Sequence, residues 1–95
     1  MTMKYVFLDG EKIKSNSELH SAFHEALSLP DYYGKNLDAL HDCLTDIHGG
    51  VRVVAVNAEQ LSVNVGRRWK SFLRLMNDLE KKKTDFRYLE EPFND

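Results

Sequence analysis

Ninety-five residues, 42% hydrophobic and 29% charged, describe one ordinary globular domain over residues 1–95, toward the lower end of sizes that fold without disulfides or metal. A net charge of −2 is too mild to name a partner, and no apolar run approaches the roughly 20 residues that span a bilayer. The single cysteine, Cys43, excludes an internal disulfide and a thiolate zinc cluster, and Met1-Thr2-Met3-Lys4 shows no signal-peptide pattern, so a reducing cytoplasm is the expected setting.

Tyr5, Val6, Phe7 and Leu8 read as a buried strand that Asp9-Gly10 turns away. Ser15 and Glu18 have the spacing of a capping box. Behind them Leu19, Ala22, Phe23, Ala26 and Leu27 recur with helical period until Pro30 stops the element. Asn36 suits the N-cap of a second helix with Leu37, Leu40 and Leu44 as its inward stripe, closed by Gly49-Gly50. Val51, Arg52, Val53, Val54, Ala55 and Val56 make the clearest strand, apolar at nearly every position as a strand covered on both faces is.

A short helix over 58–65 ends at Gly66. The strongest helical pattern follows, with Trp69, Phe72, Leu73, Met76 and Leu79 on one face. Phe86, Arg87, Tyr88 and Leu89 read as a third strand, and the acidic residues 90–95 as a loose tail. Strands separated by helices pair in parallel through right-handed crossovers. The expected fold is therefore α/β: a small three-stranded parallel sheet packed by four helices, in the order β-α-α-β-α-α-β. The first and last helices should carry much of the core.

Charge is unevenly spread. From residue 31 to 50, Asp31, Asp38, Asp42 and Asp46 face Lys35 alone, whereas 67–83 is strongly basic. Such asymmetry can orient an incoming partner. Asp38 and Asp42 lie four apart, so both project from one face of the second helix. In the first turn Asp38 also complements the helix dipole, a role that needs no partner; Asp42 lies beyond that turn. Of the adjacent Tyr32 and Tyr33, one is expected to pack under the loop, and Tyr33 is the better placed.

Other constellations are weaker. His20 and His24 have a zinc-compatible spacing but no visible third ligand, and read as an exposed pair; no metal or cofactor is expected. Cys43 reads as a small hydrophobe on the buried side of its helix. An enzyme built on Asp38, His41 and Asp42 lacks a pocket, a nucleophile and an oxyanion donor. Binding of RNA, or of a different protein, through the basic helix 67–83 is the alternative. Stacking platforms require exposed rings, however, and Trp69 and Phe72 belong to the apolar stripe.

The run Leu-Pro-x-Tyr-Tyr-Gly-x-Asn-Leu-Asp-Ala-Leu-x-Asp-Cys-Leu-Thr, residues 29 to 45, resembles the barstar family of ribonuclease inhibitors. Asp9-Gly10-Glu11, Ser17-x-Leu19-His20 and Asp85 extend the likeness over most of the chain. That resemblance implies a barstar-like fold and an inhibitor of a secreted, barnase-type ribonuclease, with no small-molecule substrate, membrane or nucleic-acid partner. It implies that Asp42 takes the position of the substrate phosphate, with Asp38 beside it. Tyr32 would stack on a catalytic histidine of the enzyme, and Asn36, Leu37, His41, Asp46 and Ile47 would fill further interface positions. Asp78 would match a family glutamate on the last long helix.

The chain departs from the family's best known member, which has tryptophan where His41 stands and Gly-Trp where Asp46-Ile47 stand. These departures point to a divergent ribonuclease as the partner.

Overall fold

The computed structural model describes residues 3–91 and has the expected element order. Strands β1 (Met3–Asp9), β2 (Gly50–Val56) and β3 (Phe86–Glu91) form one parallel sheet in the order β1-β2-β3. Helices α1 (Asn16–Leu27) and α2 (Leu37–Asp46) make the first crossover, and α3 (Ala58–Val65) and α4 (Arg68–Lys82) the second. Among the described residues no helix is long and apolar enough to cross a membrane.

Register sets the core. Val6 lies opposite Val53, Leu8 opposite Ala55 and Val51 opposite Phe86, and all six are fully buried. Leu19, Phe23 and Leu27 of α1 and Trp69, Phe72, Met76 and Leu79 of α4 close over them, with Phe23 edge-on to Phe72 at 5.9 Å. Each such side chain contributes about 1.5–3 kcal/mol on burial. The first and last helices carry much of the core, as the periodicity implies.

One expectation fails here. β1 is not a fully buried strand: Tyr5 and Phe7 are 53% and 63% exposed and stack in parallel at 5.9 Å. Strands laid down in sequence order with right-handed crossovers bring every helix to the same side, so the sheet is covered on one face only. The same argument corrects β2. Val54 faces the open side and stays nearly buried because it lies in the central strand, between its register partners Phe7 and Leu89.

The element ends show how local chemistry sets the chain path. Ser15 Oγ accepts the Glu18 amide at 3.1 Å, while the Glu18 carboxylate accepts from Lys14 at 2.6 Å rather than from Ser15, one residue off the usual capping box. α1 ends at Leu27 because Ser28 turns left-handed (φ 52°), two residues before Pro30. A Cβ at Gly10 would collide with the Asn57 carbonyl oxygen, so only glycine lets the end of β1 approach the start of α3. Glu90 and Glu91, expected in a tail, belong to β3; residues 92–95 lie outside the described residues.

Candidate functional site

The loop before α2 has a definite construction. Leu29 donates its amide to the His24 carbonyl at 3.1 Å, and Tyr33 donates to Pro30 at 2.9 Å, closing a four-residue turn. Tyr32 occupies the third position of that turn, at its outer corner, and is 87% exposed. Tyr33 closes the turn from inside and is 7% exposed. Two adjacent tyrosines are thus divided: one anchors the loop and the other is displayed.

The anchor rests on a histidine. The Tyr33 hydroxyl and His20 Nδ1 share a hydrogen bond, and His24 stacks on the Tyr33 ring at 6.2 Å. His20 is fully buried and its Nε2 has no hydrogen-bond partner among the described residues. The expected exposed histidine pair is therefore corrected: the loop folds over His20. Burial pushes the His20 pKa down, and the charges of Arg68 and Lys35 push it the same way. Lys35, itself left-handed (φ 52°), donates Nζ to Ser21 Oγ at 3.1 Å and ties the far end of the loop to α1. Among the described residues no three His, Cys, Asp or Glu side chains gather as a metal site requires.

At the start of α2, Asn36 Oδ1 accepts the Ala39 amide at 2.8 Å, the N-cap its residue type predicts. Leu40 and Leu44 are fully buried, while Leu37 is half-buried at the edge of the core. Asp38, Asp42 and Asp46, spaced by four, lie exposed along the opposite side. The Asp42 side chain is 83% exposed, and among the described residues the one basic side chain within ion-pair distance of its carboxylate is that of His41, Nδ1 to Oδ1 3.6 Å.

Two shallow clefts flank this helix. Asn36, Leu37 and Asp38 share one of about 370 Å³ with Arg68 and Ser71 of α4. Tyr32, Asp42, Asp46 and Ile47 share another of about 320 Å³ with Cys43, with Leu27 at the end of α1 and with the loop residues Ser28, Leu29 and Pro30. Cys43 is half-buried rather than interior. Its thiol pKa is pushed up by burial first, then by the charges of Asp42 and Asp46. Asp78 lines neither cleft and pairs with Lys82 on its own helix at 3.1 Å.

Sequence reasoning missed what holds the far end of α2. Lys83 Nζ donates to the Ile47 and Thr45 carbonyls at 2.9 and 3.3 Å, placing a cation on the negative end of the helix dipole. In the sequence Lys83 is one of a run of lysines, and nothing local sets it apart. The contribution of Leu27, Leu29 and Pro30 to the second cleft was better signalled, since two of them open the motif.

Comparison with known proteins bears on this arrangement. A family model described as Barstar (barnase inhibitor) matches residues 3–91. The chain is also similar to YrdF of Bacillus subtilis (strain 168), named as a candidate ribonuclease inhibitor, at 46% identity over 43 residues. That match takes in 45% of this chain and 47% of YrdF, about half the length of the curated relative.

Proposed function

The chain belongs to the Barstar (barnase inhibitor) family, and from that premise we propose that it inhibits a barnase-type ribonuclease by covering the enzyme's active site with α2 and the preceding loop. What carries this reading is Asp42, an exposed carboxylate fixed on a helix beside the displayed ring of Tyr32.

A ribonuclease must hold cationic groups around the scissile phosphate, and a preorganised carboxylate can satisfy the same groups. Asp42 loses little freedom on binding because α2 already fixes its backbone, with Leu40 and Leu44 locked in the core. Tyr32 adds a large rigid contact with few rotamers to freeze. Asn36, Leu37, Asp38, His41, Asp46 and Ile47 surround these two on the same helix and its ends, and complete the proposed interface. Asp78 on α4 is its outlying member.

The basic helix makes a weaker case for RNA. Trp69 and Phe72 are buried, so the charged side of α4 has no ring from its own apolar stripe on which a base could stack.

The test is a titration of a barnase-type ribonuclease with the protein and with Asp42→Ala. Removing one partner of a desolvated charge pair costs about 2–5 kcal/mol, a range that already draws on the family's own barnase–barstar pair and is carried over from it. The expected loss is therefore about 30-fold or more, with the far-ultraviolet circular dichroism unchanged. Asp31→Ala, in the same loop region, should cost far less. Equal losses at the two positions would count against the assignment.

A further inference from the structure

The cleft beside Asp42 is more than the flank of a phosphate mimic. Its lining is mixed: Leu27, Leu29, Pro30 and Ile47 are apolar, Ser28 and Cys43 are uncharged, and Asp42 and Asp46 bring two carboxylates to the same space. The exposed ring of Tyr32 stands at its side. Apolar walls with anionic groups beside them fit a long amphipathic cation, whose methylenes pack while its head stays paired and partly hydrated. An aromatic face adds attraction for the same charge.

Asp46 is also poorly placed for folding. It is the last residue of α2, where the helix dipole disfavours an anion, and that last turn holds no basic residue of its own. The cation that serves this helix end, Lys83, is occupied by the Thr45 and Ile47 carbonyls. Asp46 thus opposes its own helix and forms no ion pair among the described residues.

We infer that this cleft receives a lysine or arginine side chain of the ribonuclease, and that Asp46 selects for enzymes that present one there. The inference rests on the inhibitor reading but is separable from it. The carboxylate of Asp42 answers the phosphate-binding groups, and that of Asp46 answers a second cation beyond them.

Cys43 lines the cleft and is the protein's one cysteine, so its modification rate reports on what the cleft admits. Methanethiosulfonate reagents carrying a trimethylammonium, a neutral methyl or a sulfonate group serve as probes. The thiolate attacks the sulfenyl sulfur, a disulfide forms and methanesulfinate leaves. At low salt the cationic reagent should outpace the anionic one by about tenfold, and Asp46→Asn should reduce that ratio several-fold. In parallel, Asp46→Asn should raise the melting temperature while weakening inhibition of a barnase-type ribonuclease by about tenfold and flattening its salt dependence.

Equal rates for the three reagents overturn the inference whatever the ribonuclease does. So does full inhibition by Asp46→Asn where Asp42→Ala fails. Loss of melting temperature in Asp46→Asn would reassign the residue to structure and overturn it as well. Absence of inhibition by the unaltered protein overturns the inhibitor reading, and with it the ribonuclease as source of the cation.

Discussion

The two ends of α2 are built on opposite principles. At the N-terminal end the helix-start preferences agree, with a left-handed Lys35 the one exception before the cap: Asn36 caps, Asp38 complements the dipole, and the preceding loop is pinned through Tyr33 to a buried histidine. At the C-terminal end local preference is violated. Asp46 opposes the dipole, Ile47 is only partly covered, and order is imposed from 36 residues away by Lys83. One end is made to be stable and the other tolerates a cost to folding. Residues of a proposed interface that fold at a loss are the ones to test first for a role in binding, because stability gives no reason for them.

The comparison is sharpened by several measurements. The largest effect belongs to what both ends share: Leu44→Ala empties a fully buried position and should cost about 2–5 kcal/mol in a denaturant titration, lowering affinity only through the unfolded fraction.

The N-terminal end should be sensitive to acid. The folded protein resists protonation of His20, whereas the unfolded chain takes the proton near the ordinary histidine value of about 6.5. Stability is therefore complete above that pH and falls below it, by at most about 1.4 kcal/mol per pH unit for one proton, until the lowered folded-state pKa is reached. His20→Gln should flatten this slope in equilibrium unfolding between pH 7 and 5. A slope unchanged by that substitution would place the acid sensitivity elsewhere.

Next in size is the cap. Asn36→Ala removes the bond to Ala39 and should cost about 1 kcal/mol.

The smallest pair is the most telling. Asp38→Asn should destabilise and Asp46→Asn stabilise, each by about 0.3–1 kcal/mol, read as opposite shifts in denaturant midpoint. Shifts of the same sign would erase the contrast between the ends.

How much of this was legible in the sequence divides along the same line. Element order, the Asn36 cap and the inward Leu40 and Leu44 follow from spacing and residue type, because they depend on neighbours within one or two turns. The division of Tyr32 from Tyr33 was legible for a similar reason, since a proline-opened turn displays one and buries the next. His20 was misread because its partner lies 13 residues on, across a loop whose path no local pattern specifies. Lys83 was lost in a lysine run, distinguished only by a contact that exists once the fold is complete. The open face of β1 was hidden for a different reason: four apolar residues in succession give no alternation from which a half-covered strand could be told.

The sheet has one further consequence, and it is mechanical. β1 and β3 both run parallel to the central β2, in register from Met3 opposite Gly50 to Asp9 opposite Val56 and from Val51 opposite Phe86 to Val56 opposite Glu91. Tension applied at the start of β1 and the end of β3 pulls the outer strands in opposite directions along β2. Both ladders are then loaded in shear, so their bonds share the load instead of peeling one at a time. A molecule this small, held between those two points, should yield at high force and in a single step, with α2 and its loop intact until the sheet gives way.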